Sequence, residues 1–246
     1  MQDNSENLEE SRQFGDGEEY KEYKRMKREE EALANVGKIE CDCLSTNSDK
    51  AELKQTCKNA DAISLGAIVV YPALVKSCVS FLGRDPKTAL IAAISYPHGM
   101  DTTATKVDSI KRAIRDGVDE VEVCAPVQLI KDGNLTYFKR ECKKMKKAAK
   151  NIPVRLVFNC SLLSLGELSK ACTIAADAGI VCVRLSGADG HVVSQIKKLL
   201  HGKCLIKADG VEDFSAFANY CVMGADYLGG KNALSLANLI IKQADI

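Results

Sequence analysis

Short apolar runs alternate with helical patterns through most of this chain, and the alternation limits the folds that it can adopt. Between the apolar runs, apolar residues recur at helical spacing, as in Lys106–Arg115 and Leu165–Ala178. Strands that alternate with helices favour a parallel α/β domain, and eight repeats predict a closed (β/α)8 TIM barrel. The predicted strands are Lys38–Leu44, Ala62–Val70, Ala89–Ile94, Glu120–Ala125, Pro153–Phe158, Val181–Leu185, Cys204–Ala208 and Asp226–Leu228.

A doubly wound open sheet is the alternative to the barrel. Such a sheet usually carries a glycine-rich nucleotide loop after its first strand. Here the first strand leads into the segment Cys43-Leu44-Ser45-Thr46-Asn47, which contains no glycine. We therefore expect a (β/α)8 barrel domain over residues 38–246.

The first 37 residues differ from the rest and form a predicted N-terminal extension. Met1–Gly17 is acidic and lacks apolar periodicity, which predicts disorder. Glu18–Ala34 is dense in charge and rich in helix-forming residues, which predicts a charged helix. This helix is either a solvated appendage of the domain or an arm that binds a partner.

Composition excludes several classes of function. The formal net charge is +1, so the chain as a whole gives no electrostatic argument for binding nucleic acid or a membrane. The N-terminus has no apolar core of a signal peptide, and no apolar run approaches the length of a membrane span, so we expect a cytoplasmic protein. The basic run Lys143–Lys147 is interpreted as a solvated helix face.

Neither the cysteines nor the histidines predict a metal site. Only Cys41 and Cys43 of the 11 cysteines form a close pair, and the others are scattered singly, as reduced structural thiols would be. The three histidines are far apart in the sequence. They are His98, His191 and His201.

The fourth, sixth and seventh predicted strands each carry a charged residue among apolar neighbours. Side chains alternate between the two faces of a strand. Because the apolar neighbours of Glu122, Arg184 and Lys207 face the helices, these three side chains should point into the barrel. Catalytic residues of such barrels lie at the carboxyl ends of the strands, where Asn159 also ends the fifth strand. Burial of charge is costly unless the charges are paired, so the cluster requires mutual pairing or a ligand.

The loops after strands seven and eight predict an anion site. Glycine in these loops lets backbone N–H groups approach a phosphate, and Asn232 lies near the start of the last helix. Asp209 is unfavourable beside a phosphate. The candidate ligand-binding residues are Ser186, Gly187, Gly210, Gly229, Gly230, Lys231 and Asn232.

From about Ile39 onwards, several motifs resemble deoxyribose-phosphate aldolase, a class I aldolase on a (β/α)8 barrel. Asp116-Gly117-Val118-Asp119-Glu120-Val121-Glu122-Val123 is similar to the family's D-G-A-D-E-[IV]-D-x-V. Ser95-Tyr96-Pro97-His98-Gly99 resembles its G-F-P-x-G, and Val69-Val70-Tyr71-Pro72 resembles its C-V-N-P. Leu205-Ile206-Lys207-Ala208-Asp209-Gly210 resembles its strand with K-A-x-G-G.

The resemblance implies a reaction and a set of site residues. The family cleaves 2-deoxyribose 5-phosphate into glyceraldehyde 3-phosphate and acetaldehyde without a cofactor, through a Schiff base on a strand-six lysine. By position, Arg184 replaces that lysine, Lys207 matches the second lysine, and Glu122 replaces the aspartate that shuttles protons. The chain departs from the family at other motif positions as well, at Glu40-Cys41-Asp42, Tyr71, Asn159 and the phosphate loop.

The arginine determines the functional prediction. A Schiff base needs a neutral amine, and a guanidinium stays protonated and is not such a nucleophile. The leading hypothesis is an aldolase-like barrel, deficient in the family's reaction, whose mouth binds a phosphorylated sugar or other small anion. One alternative is an active aldolase or lyase that uses Lys207 as nucleophile, its pKa lowered by Arg184. Another is a non-catalytic scaffold or a regulatory partner of an active paralogue. The partners that we expect besides the ligand are further copies of this chain or such a paralogue.

Overall fold

Eight parallel strands close into a barrel in a computed structural model that describes residues 18–211 and 213–244. Each strand pairs with the next along the chain, and the last pairs back with the first, Ile39 opposite Leu228. The predicted (β/α)8 barrel is confirmed, and the open sheet is excluded. The strands are β1 (Ile39–Cys43), β2 (Ala67–Val70), β3 (Ala89–Ile94), β4 (Glu120–Cys124), β5 (Val154–Asn159), β6 (Cys182–Ser186), β7 (Leu205–Asp209) and β8 (Tyr227–Gly230).

Helices connect the strands and cover the outside of the barrel. Two short 3-10 turns, Pro72–Leu74 and Cys160–Leu162, follow β2 and β5. The α-helices are α1 (Glu18–Val36), α2 (Lys50–Ala62), α3 (Val75–Leu82), α4 (Thr103–Asp116), α5 (Val127–Lys131), α6 (Leu135–Ala149), α7 (Leu165–Asp177), α8 (Gly190–Leu200), α9 (Phe214–Val222) and α10 (Ala233–Ala244).

Local sequence determines where several helices begin and end. Asp49 accepts hydrogen bonds from the backbone N–H groups of Ala51 and Glu52 and so caps α2. Gly117 ends α4 at φ 104°, a conformation that a side chain would strain, and donates to the carbonyls of the last turn. The second predicted strand began five residues too early, because Ala62 still belongs to α2 and Ser64 makes the turn that leads into β2.

The two faces of the strands differ in chemistry. Outward residues such as Val121, Val183 and Ile206 belong to one apolar core shared with the helices. Inside the barrel, β2 and β3 supply a small apolar cluster, whereas β1 and β4–β7 supply charged side chains. The interior therefore has an apolar half and a charged half. The buried residues of this apolar cluster are Ala67, Val69, Ile91 and Ala93.

Helix α1 packs on the barrel through one face. Ala32 and Val36 are buried in the main core, and α1 contacts α10. Met26 and Leu33 are exposed on the same helix. The predicted disorder of Met1–Gly17 concerns residues outside the described part of the chain. Among the residues described, no helix is long and apolar enough to cross a membrane.

Candidate functional site

Arg184 lies inside the barrel, on β6, where it bonds to three carboxylates from three strands. Its Nη1 donates to Glu122 Oε2 at 2.7 Å, and its Nη2 donates to Asp42 Oδ2 at 2.7 Å. Its Nε donates to Asp209 Oδ2 at 2.8 Å. The side chain is nearly buried, and every nitrogen of its guanidinium is engaged.

Lys207 lies beside Arg184, in register with it on β7, and is fully buried. Its Nζ is 2.8 Å from Glu40 Oε2, 3.3 Å from Asp42 Oδ1 and 3.7 Å from Glu122 Oε1. Asp42 and Glu122 therefore bridge the two cations. The structure brings the predicted cluster of Glu122, Arg184 and Lys207 together as a paired ion network.

A second layer of charge lies under this network. Arg155 on β5 pairs with Glu40 at 2.5 Å and with Glu120, and its guanidinium lies over the ring of Tyr227. Glu40 joins the layers because its other oxygen contacts Lys207. Five carboxylates thus face three cations, an excess of two negative charges when all are ionised. The carboxylates are Glu40, Asp42, Glu120, Glu122 and Asp209.

The network changes the protonation behaviour of its members. Although burial favours the neutral acid, Lys207, Arg184 and Arg155 lower the pKa of Glu122 to about 2. Burial also opposes the ammonium of Lys207, but the carboxylates of Asp42, Glu122 and Glu40 outweigh it and raise the pKa of Lys207. Arg184 acts in the lowering direction that the sequence suggested, and it is the smaller effect. Lys207 is therefore held as an ammonium ion.

Asp209 lines the mouth of the barrel and has one carboxylate oxygen without a hydrogen-bond partner in the part of the chain that the structure describes. Its Oδ2 accepts the bond from Arg184, whereas its buried Oδ1 has no hydrogen-bond partner among the described residues. Burial raises the pKa of Asp209, an effect that Arg184 and Lys207 oppose. A ligand or a proton at Oδ1 would satisfy this atom.

A cavity of about 640 Å³ opens at the carboxyl ends of β1, β6, β7 and β8. Arg184, Asp42 and Asp209 form its charged floor, and the hydroxyl groups of Ser45 and Thr46 also line it. The sequence placed a ligand site at this position in the fold. Of the predicted ligand-binding residues, those that line the cavity are Ser186, Gly210, Gly230, Lys231 and Asn232.

Gly187 and Gly229 are placed differently from the other predicted ligand-binding residues. Gly187 makes the turn after β6 at φ 73°. Gly229 faces the barrel interior, where a Cβ would lie 2.5 Å from Cε of Lys207 and 3.1 Å from Oδ1 of Asp209. The structure therefore gives Gly229 a packing function, since its missing side chain leaves room for Lys207.

Other positions where the chain departs from the motif have local structural partners. The carboxamide oxygen of Asn159 accepts from the backbone N–H and the hydroxyl of Ser161, so it caps the turn after β5. The hydroxyl of Tyr71 donates to the carbonyl of Leu44 at 3.1 Å, which ties the loop after β1 to the end of β2.

Sequence reasoning predicted Glu122 but missed Glu40, Asp42 and Asp209, the other carboxylates that pair with Arg184 and Lys207. Glu40 and Asp42 alternate with Ile39, Cys41 and Cys43, so the period-two pattern of β1 already pointed both acids inward. Asp209 shares the parity of Lys207 in the same way. The alternation along each strand predicts which way a side chain points. The residue with which it pairs is determined by the closure of the barrel. Within the described residues, no group of three or more metal-ligating side chains is arranged to hold a metal ion.

The fold and the site together define the class of protein as a (β/α)8 barrel whose charged residues converge at the carboxyl ends of its strands, as in barrel enzymes. The sequence model of the "DeoC/LacD family aldolase" group matches residues 26–166. The chain belongs to this family.

Named relatives agree with this assignment. Deoxyribose-phosphate aldolase 1 of Mesoplasma florum is 30% identical over 200 residues, which cover 78% of this chain and 90% of the relative. The deoxyribose-phosphate aldolase of Caldanaerobacter subterraneus subsp. tengcongensis is 27% identical over 229 residues, 89% of this chain and 99% of the relative.

Solved structures show the same fold. A structure described as "QR15, an Aldolase" superposes with a TM-score of 0.80 at 22% identity and covers 85% of this chain and 96% of its own. The deoxyribose phosphate aldolase from Aeropyrum pernix, described as a unique tetrameric structure, gives a TM-score of 0.76 at 18% identity, with 88% and 94% covered. At these identities the structures support the fold alone.

Proposed function

We propose that this barrel binds a small phosphorylated or otherwise anionic ligand at its mouth and does not catalyse the Schiff-base cleavage of deoxyribose 5-phosphate. The observation that carries the proposal is the engagement of Arg184 by Asp42, Glu122 and Asp209. A guanidinium at the position of the family's nucleophile is no amine, and these carboxylates raise the pKa of Arg184 further against the effect of burial.

The cavity supports retained ligand binding. Lys231 and Asn232 line it beside the glycines of the two loops, where backbone N–H groups can meet an anion. The orphan Oδ1 of Asp209 lies in the same region and suits a hydroxyl donor. A sugar phosphate carries both kinds of group.

An assay with deoxyribose 5-phosphate tests the loss of activity. We expect no turnover by the natural chain, whereas active enzymes commonly reach about 1–1000 per second. In Arg184→Lys the new amine would face the same three carboxylates, so we expect at most trace cleavage. The double variant Arg184→Lys/Asp209→Ala should exceed the single variant because one carboxylate that keeps the lysine protonated is gone. Turnover by the natural chain in the ordinary enzyme range would refute the proposal.

The alternative nucleophile, Lys207, is tested by borohydride trapping. Because its ammonium contacts three carboxylates, we expect no reduced adduct between the natural chain and deoxyribose 5-phosphate, as measured by intact mass. An adduct that disappears in Lys207→Ala would establish the alternative. An adduct that persists in that variant would show that another amine reacts.

We also propose that the outer surface of the barrel binds further copies of this chain or an active paralogue. The support for this proposal is the tetrameric description of the Aeropyrum relative and the exposed Met26 and Leu33 on α1. Light scattering of the natural chain and of Met26→Glu/Leu33→Glu measures whether this face of α1 holds an assembly together.

A further inference from the structure

A groove lies on the outer surface between α4 and α6, and it shares no lining residue with the cavity at the barrel mouth. Its volume is about 400 Å³. Thr103, Ala104, Val107 and Ala148 form a floor of small and apolar side chains. Four lysines surround this floor, one from α4 and three from the end of α6 and the residue after it. They are Lys111, Lys144, Lys147 and Lys150.

The four lysines are unpaired in the part of the chain that the structure describes. None of their ammonium groups forms an ion pair or a hydrogen bond there. Nearby acids are already engaged, since Asp108 pairs with Arg112 at 2.9 Å and Glu141 with the buried Lys106 at 3.4 Å. Four positive charges therefore surround a single groove in a chain whose net charge is only +1.

A polar network, most of it buried, links the two helices that form the groove. Lys106 Nζ donates to the carbonyl of Cys124 at 3.1 Å and contacts Glu141. The hydroxyl of Thr103 bonds to Glu141 at 3.2 Å and to the hydroxyl of Tyr137 at 3.1 Å. The network fixes the spacing of α4 and α6, so the groove is formed before any ligand arrives.

Helix electrostatics explain only part of this arrangement. Lys147 lies in the last turn of α6, where a cation is favourable near the helix carboxyl end. That effect accounts for lysines on α6 but not for Lys111, which faces them from the neighbouring helix.

We propose that this groove binds a nucleoside triphosphate, with the base on the apolar floor and the phosphates among the lysines. The volume falls within the range of about 300–1000 Å³ for small-molecule sites. Lysine binds phosphate as a point charge, and four such charges match a triphosphate.

Calorimetric titration of the full chain with ATP, adenosine and inorganic tripolyphosphate tests the proposal, because it separates the apolar and charged parts of the ligand. We expect ATP to bind at least about tenfold more tightly than either fragment, a difference of about 1.4 kcal/mol. Lys111→Ala/Lys147→Ala should weaken ATP binding at least about tenfold. Ala148→Leu, which fills the floor and keeps every charge, should weaken ATP more than tripolyphosphate.

Lys139→Ala/Lys143→Ala is the matched control, because it removes two exposed lysines of α6 that do not line the groove. It should change ATP affinity less than about threefold. Equal affinity for tripolyphosphate and ATP, or equal weakening by the control pair, would show diffuse charge attraction and overturn the proposal. Undetectable ATP binding, or binding lost in Lys231→Ala and kept in Lys111→Ala/Lys147→Ala, would also overturn it.

Discussion

Glu122 connects the two cations at the centre of the barrel, and its protonation should affect the stability of the whole charged half. Its Oε2 accepts from Arg184, and its Oε1 faces Lys207. A neutral Glu122 would lose the negative charge that attracts both cations. The acid is fully buried, so solvent does not replace these partners.

Acid should therefore destabilise the protein through this residue. The pKa of Glu122 is lowered from 4.5 to about 2, so its contribution to stability is complete above pH 4.5 and is lost as the pH falls towards 2. Thermal unfolding from pH 6 to pH 2.5 should show a falling midpoint in the natural chain. Glu122→Gln should start lower and fall less steeply in this window. Parallel curves for the two proteins would contradict the lowered pKa.

The sequence allowed the direction of these residues to be predicted but not their partners. Parity along β4, β6 and β7 pointed Glu122, Arg184 and Lys207 inward because apolar neighbours had to face the helices. Asp42 is 142 residues from Arg184 along the chain, and the two meet only because the barrel closes. From the sequence alone, Glu40 and Asp42 could be interpreted only as a departure from a family motif.

At the scale of the elements, the function of the glycines in β8 depends on the neighbouring strand β7. The sequence Leu228-Gly229-Gly230-Lys231-Asn232 suggested a phosphate loop, from its glycines and from Asn232 near the start of the last helix. The structure shows that strand pairing places Gly229 opposite Asp209, against the side chain of Lys207. Glycines in the sequence of one strand do not show whether they bind phosphate or make room for a side chain, because that depends on the residues of the neighbouring strand.

Gly229→Ala should therefore destabilise the barrel, by about 1–3 kcal/mol of unfolding free energy, because the new methyl group would overlap a lysine fixed by ion pairs. Gly166→Ala on α7 is the comparison, since its Cβ would meet nothing within 4 Å. That substitution should stabilise the protein by about 0.5 kcal/mol. Urea denaturation measures both values. An unchanged stability in Gly229→Ala would mean that Lys207 moves aside easily.

At the scale of the whole molecule, α1 is joined to the barrel through its last two turns. The sequence predicted the helix from its composition, but the weak face that it suggested included Met26, which is exposed, and not Ala32 and Val36, which are buried. Ala32 is 7% exposed and Leu33 52%, although both are apolar and adjacent. The difference arises from α10, whose position beside α1 depends on the closure of β8 onto β1.

Two neighbouring substitutions test whether α1 belongs to the folding unit. Ala32→Glu would place a carboxylate in the core and should lower the free energy of unfolding by at least about 2 kcal/mol. Leu33→Glu introduces the same charge at an exposed site and should change it by less than about 0.5 kcal/mol. Equal effects in a denaturant titration would show that α1 unfolds independently of the barrel.

The three ion pairs of Arg184 also affect which substitutions the protein tolerates at this position. Removing one partner of a buried ion pair typically costs about 3–5 kcal/mol, so Arg184, Asp42 and Asp209 depend on one another. A neutral residue at position 184 would leave these carboxylates without their shared cation and would weaken the protein. The cost of replacing Arg184 therefore depends on which of its carboxylate partners are still present, so the order of substitutions at these positions matters as much as their number.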